Sequence, residues 1–178
     1  GAYDFLLQSQ IASNITNSTM GATLSTHKLQ EDTTPLLSFD NPFLLLVGVK
    51  GAQNAKGEAS TTLVHRHDLS NMHGTVHGGV IMTLLDTTMA RAAMSKHGFQ
   101  LSVVSIGVSV NFLKPGNGCL TTRARVTGGG KSTCFCEGEV FDEAGNLVAK
   151  GLGTFKFQKP PAGYDSTTGV LYKPEVIE

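Results

Sequence analysis

An excess of charge of one sign is missing from this chain of 178 residues: Lys and Arg number 14, and so do Asp and Glu. A nucleic-acid binder working through bulk electrostatics is thereby disfavoured, and copies of the chain meet little mutual repulsion. Cysteine is scarce as well. Cys119, Cys134 and Cys136 are too few, and odd in number, for a disulfide framework. Cys134 and Cys136 stand two apart, on one face of a strand, and read as small buried hydrophobes in a reducing compartment. Long apolar runs are also absent. The longest is FLLLV at 43–47, far short of the ~20 residues a membrane helix needs, so no membrane partner is expected. No basic stretch leads into an apolar one near residue 1, so a secretory signal is not expected and a cytoplasmic location is.

What is present is ordinary globular composition, 40% hydrophobic and 16% charged. The length suits one domain that buries roughly 70% of its extended-chain surface. Residues 1–41 are rich in Ser, Thr, Asn and Gln and read as an N-terminal extension, in which YDFLLQSQIA suits a short amphipathic helix. Residues 159–178, opening KPPAGYDSTTG, read as a loose tail. The organised part is 42–158.

Its first stretch, FLLLVGVKGAQNAKGEASTTLVHRHDL, reads as two strands joined by a polar turn at 51–57. A helix over 78–96 follows, because Val80, Ile81, Leu84, Leu85, Met89, Ala92 and Ala93 recur at spacings of three and four, with Gly98 placed to end it. The remainder reads as strands, the last two a hairpin turning at 143–146. The order β-β-α-β-β-β gives an α+β class, with one antiparallel sheet of five to six strands around one long helix. A lone helix covers one face of such a sheet, so the other face or an edge strand needs a partner. A homodimer, extended to a dimer of dimers, is expected.

The chemistry concentrates in NMHGTVHGGVIMTLLD, residues 71–86. His73 and His77 stand four apart, with His65 and His67 upstream, which raises a metal. Gly74, Gly78 and Gly79 make a helix through both histidines improbable, and no acidic partner follows in a zinc-protease pattern, so no metal is expected. GTVHGG lacks the Lys-Ser/Thr of a phosphate loop, yet glycines at a helix start present free N–H groups to an oxyanion. Asp86 falls two turns into the helix, on a stripe of small residues with Gly79, Thr83, Ala90 and Ala93. Two readings stay open: a solvent-facing Asp, or a carboxylate serving as general base or nucleophile. Arg91, about one turn further, is expected to face solvent; turned toward the acid, it would hold the carboxylate ionised.

This stretch resembles the signature of the hotdog-fold acyl-CoA thioesterases of the PaaI type, roughly N-x-x-G-x-x-H-G-G-x-x-x-x-L-x-D. Asn71, Gly74, His77, Gly78, Gly79, Leu84 and Asp86 fall at the family spacing. The resemblance extends over 42–158 and implies a hotdog fold, its sheet wrapped around one central helix. It implies an acyl-CoA substrate, hydrolysis without cofactor, and a site across a dimer interface. Asp86 would activate water or attack the thioester, while the Gly78 N–H would polarise its carbonyl. His77 would set the loop and the thioester, Asn71 would bond the water or the carbonyl, and Gly79 and Thr83 would line the substrate. A Ser or Thr from the partner's third strand would stand near the carboxylate; Ser105 fits by counting back from Pro115, with Ser102 and Ser109 as rivals. Arg123, Arg125 and GGGKS (residues 128–132, with Gly130, Lys131 and Ser132) would contact the nucleotide end of CoA. Two alternatives on this fold are a non-catalytic acyl-CoA or acyl-carrier binder and a 3-hydroxyacyl dehydratase, although the latter's histidine-proline pattern is missing.

Overall fold

The computed structural model describes residues 41–160, 162–165 and 170–171, so the short helix expected near residue 3 lies outside the described residues. In chain order the elements are helix α1 (Pro42–Val47), strands β1 (Lys50–Ala55) and β2 (Glu58–Val64), a 3-10 turn (His67–Leu69) and helix α2 (Gly78–Ser95). Strands β3 (Ser102–Phe112), β4 (Cys119–Gly129), β5 (Thr133–Phe141) and β6 (Leu147–Gln158) follow. Beyond β6, where the sequence reads as a loose tail, β7 (Tyr164–Asp165) pairs with β8 (Val170–Leu171).

FLLLV is a helix and not the expected strand, and the end chemistry explains why. Asn41 Oδ1 accepts the N–H groups of Phe43 and Leu44, at 3.0 and 3.4 Å, and Pro42 fills the first helical position, where no donor is needed. Gly48, at φ 83°, closes the other end in the left-handed region. Leu44 and Val47, three apart, are the buried pair. The first turn of the sheet is correspondingly tighter than expected, lying between Ala55 and Glu58.

The six main strands form one antiparallel sheet in the order β1-β2-β4-β5-β6-β3. This is the hotdog arrangement, with α2 packed across β2, β4, β5 and β3. Alternation places Ala59, Thr61 and Leu63 of β2 opposite Ala124, Thr122 and Leu120 of β4, all buried on the helix side. Toward the middle of the sheet the residues shrink. Gly138 and Gly151 are register partners, and a Cβ on either would stand 3.0 or 3.2 Å from the Leu85 side chain. Their lack of side chains lets Leu84, Leu85 and Met89 settle onto the sheet, where all three are fully buried. Cys134 and Cys136 join this layer as buried thiols with Sγ atoms 3.8 Å apart. Burial, then the neighbouring Cys134, pushes the Cys136 thiol far above its ordinary range, with Lys96 pulling weakly the other way.

Arg91 does not face solvent. It is 6% exposed, and its guanidinium lies 5.9 Å from the Phe99 ring centroid, where the ring face takes the cation. The reason is the return of the chain after α2: Phe99, at φ 60°, turns back over the helix end.

Among the described residues, nothing covers the sheet face away from α2. Part of it is polar, with Arg125 paired to Glu137 and Lys150 to Glu139 across neighbouring strands. Beside that ladder lie Ile106 (61% exposed), Phe135 (48%) and Leu152 (58%). β3 is an edge strand, and its residues 104–107 are all exposed.

Candidate active site

The loop before α2 is shaped by its own side chains. Asn71 Oδ1 accepts the His73 and Thr75 N–H groups, and Asn71 Nδ2 donates to Thr75 Oγ1 at 2.9 Å. Gly74, at φ 77°, allows the turn and donates its N–H to the Asn71 carbonyl. Two further bonds fix where the loop points: Val76 N–H to the Gly116 carbonyl, and His77 N–H to the Leu69 carbonyl. Asn71 is thus engaged in building the loop that delivers His77.

His77 caps α2. Its backbone is extended (φ −61°, ψ 138°), and its Nδ1 accepts the Gly79 N–H at 2.9 Å, so the remaining ring proton sits on Nε2. A Cβ on residue 79 would stand 3.1 Å from that Nδ1, which explains the second glycine. The Gly78 N–H, at the first helical position, has no acceptor among the described residues. It points from the positive end of an 18-residue helix, a place that favours an oxyanion. Phe112, at the end of β3, lies against this glycine: a Cβ on residue 78 would meet the ring at 3.4 Å. Phe112 is half-exposed and went unnoticed in the sequence, where NFLKPG reads only as a strand end.

Asp86 is half-buried on the open side of α2, and the Ser105 hydroxyl donates to its Oδ1 at 2.6 Å. Of the three serines considered, Ser105 is the one that reaches the acid. It does so from the same chain, whereas the resemblance put such a residue on a partner. Ser102 instead bonds the carbonyls of Gln158 and Lys159, and Ser109 sits opposite Leu152, on the other face. The Thr83 hydroxyl donates to the Gly79 carbonyl at 2.9 Å.

Gly78 and Asp86 are eight residues apart on one helix, a rise of roughly 12 Å. A single carbonyl group cannot touch both in one chain, because a nucleophile and an oxyanion donor must each approach within about 3 Å of it. Arg123 and Arg125 are not brought to Asp86 either. Both project from the sheet face away from α2, Arg125 on Glu137 and Arg123 over the Phe141 ring at 5.6 Å. The hairpin carrying Gly130, Lys131 and Ser132 is exposed at the far end of β4. Among the described residues, no three His, Cys, Asp or Glu side chains gather as a metal-holding group, and His65 is held by Ser70 at 2.9 Å.

The sequence pattern that defines the thioesterase superfamily matches residues 73–149, from the capping loop through the sheet to β6. The chain belongs to that superfamily. Within it, the acyl-coenzyme A thioesterase PaaI of Escherichia coli is 31% identical over 96 residues, covering 53% of this chain and 66% of that one. Among solved structures, a conserved protein of Pseudomonas aeruginosa is 33% identical with a TM-score of 0.63, over 66% of this chain and 94% of that one. The E. coli PaaI protein from the phenylacetic acid degradation operon superposes with a TM-score of 0.62 at 27% identity, over 66% and 84%. The superfamily, the PaaI-type likeness and the hotdog fold together make the protein a thioester hydrolase of the PaaI type. No helix among the described residues is long and apolar enough to cross a membrane.

Proposed function

We propose that the protein hydrolyses the thioester of an aryl- or medium-chain acyl-CoA to the free acid and CoA. The observation that carries this reading is an exposed pairing in which the Ser105 hydroxyl orients the Asp86 carboxylate, on a helix whose N-terminus, two turns away, offers the Gly78 N–H. Ser105 occupies Oδ1 and leaves Oδ2 for a water. Asp86 takes a proton from that water as its oxygen adds to the thioester carbon, and the carbonyl oxygen becomes an oxyanion held by a Gly78 N–H. Collapse of the tetrahedral species breaks the carbon–sulfur bond, and the departing thiolate takes up the proton. A direct attack by Asp86, followed by hydrolysis of the anhydride, uses the same groups.

The roughly 12 Å between Gly78 and Asp86 supports a site made by two copies. Along β3, Ser105 stands beside Asp86 and Phe112 beside Gly78. A two-fold axis through the middle of β3, pairing this exposed edge with its copy, exchanges those two ends. Gly78 of the partner subunit then comes beside Asp86. Self-pairing also removes an unprotected edge. The apolar group of Ile106, Phe135 and Leu152 on the uncovered sheet face suits a second interface, a dimer of dimers. The free thiols suit a reducing location, the cytoplasm.

A free-thiol assay over aryl and straight-chain acyl-CoAs tests the reading. CoA release that is lost in Asp86→Asn, with folding intact, is the expected result. Acyl-CoA that stays bound and uncleaved through long incubation would instead make the protein a carrier.

A further inference from the structure

Phe112 is 53% exposed, yet it stands on a pinned stretch of chain. It closes β3 opposite Ala149 of β6. Just past it, the N–H groups of Leu113 and Lys114 both donate to the Val148 carbonyl, at 2.8 and 3.1 Å. Two residues on, the Gly116 carbonyl accepts the Val76 N–H at 2.9 Å. The strand end that carries Phe112 and the loop that delivers His77 are therefore tied to one short segment, 113–116. Val108 and Val110, on the same side of β3 by alternation, pack against the core. Phe112 instead reaches the helix end.

The ring meets α2 at one residue. A Cβ placed on Gly78 would stand 3.4 Å from Phe112 Cζ and 3.5 Å from Cε1. Apart from the helix backbone and the residues flanking Gly78, no other described atom lies within 4 Å of that point. The edge of the ring is what faces the glycine, and its hydrogens carry the positive end of the aromatic quadrupole. The following amides of the first turn are satisfied inside the cap. The Gly79 N–H is taken by His77 Nδ1, and the Val80 and Ile81 N–H groups by the His77 carbonyl. The ring thus stands beside the Gly78 N–H, which has no acceptor among the described residues. Hydrocarbon on one side of a donor denies water that approach, and a hydrogen bond formed there is screened less than one in open solvent. The gain is largest for a charged acceptor.

We infer that Phe112 walls the Gly78 N–H from water, and that it acts in the hydrolysis as a positioning residue, through that amide, by strengthening its hold on the oxyanion. The inference rests on the hydrolase reading above and adds a residue to it.

Phe112→Ala opens the wall, whereas Phe112→Leu keeps an apolar one. The alanine variant is expected to lower kcat roughly tenfold with little change in KM, because the wall acts on charge that develops only in the transition state. Phe112→Leu should recover most of that loss. The deciding comparison uses Gly78→Pro, which has no N–H at this position: there, adding Phe112→Ala should lower kcat no further. A similar fall in both backgrounds, or a change confined to KM, makes Phe112 a packing or acyl-contact residue and overturns the inference. Amide hydrogen exchange at Gly78, followed by NMR, needs no turnover. It should quicken roughly threefold or more in Phe112→Ala and stay near native in Phe112→Leu, with the Leu84 and Leu85 amides unaltered as the reference for an intact helix. Unchanged exchange at Gly78 overturns the inference as well. A native protein that shields this amide but cleaves no acyl-CoA loses the hydrolase reading, while the shielding of Gly78 by Phe112 stands.

Discussion

The Ser105 hydroxyl, on an edge strand, donates to Asp86 Oδ1 on the central helix across 2.6 Å. One carboxylate oxygen is thereby tied to the sheet. Asp86→Asn removes the proposed base and should lower kcat by about two to four orders of magnitude. Ser105→Ala leaves the carboxylate but frees its rotation, and a fall of roughly tenfold is expected. Thermal unfolding of both variants, run beside the rate assay, separates lost chemistry from lost fold. Near-native turnover by Asp86→Asn would sink the mechanism.

Gly78→Pro isolates the other half of the site. Proline suits the first helical position, and His77 already has the extended backbone that precedes a proline, so the helix should persist while its free N–H disappears. A loss of about 10²–10³ in kcat is expected. Mixing this variant with Asp86→Asn under subunit exchange gives heterodimers in which one composite site is whole. Recovery of roughly a quarter of native activity is expected if the halves come from different copies. An inert mixture would put both halves in one chain.

Gly138 and Leu85 should be energetically coupled. A methyl added at Gly138 stands 3.0 Å from Leu85 Cδ2 and 3.2 Å from Met89 Cγ, so Gly138→Ala is expected to cost about 1–3 kcal/mol through overpacking. Leu85→Ala leaves a cavity and costs about 2–5 kcal/mol. In the double variant the new methyl occupies part of that cavity, so the loss measured by denaturant unfolding is less than the sum. Strict additivity would mean that the two side chains do not meet.

Thiol reactivity reads the core directly. In the folded protein a thiol reagent should modify Cys119, which is half-buried, well before Cys134 and Cys136, which are buried. Burial holds Cys136 neutral above the ordinary thiol value of 9.0, where the unfolded chain ionises and binds one proton fewer. Stability therefore falls as pH rises past that value, and Cys136→Ser or Cys136→Ala should flatten the alkaline limb of an unfolding curve. Rapid modification of all three thiols in the native protein would contradict this packing.

Much of the fold is legible in local sequence. The spacing of Leu84, Leu85 and Met89 sets α2, the glycines with His77 set its start, and strands follow it as expected, although four enter the sheet where the expected order β-β-α-β-β-β has three. FLLLV reads equally as strand or helix because an apolar run has no period of its own; the capping residues Asn41 and Gly48, not the leucines, decide its state. The choice among three serines was open because alternation fixes spacing and not phase. The phase is set by the turn at Phe99 and by the irregular pairing between Ser105 and Gly107.

The sequence by itself determined the helix, the single antiparallel sheet of strands before and after it, and the thioesterase resemblance, because each rests on residues near one another in the chain. Only the tertiary structure decided that Ser105 meets Asp86, that Arg91 turns inward and that Phe112 lies against Gly78. Those are contacts between segments distant in sequence, and no spacing along the chain encodes them until the sheet has closed around the helix.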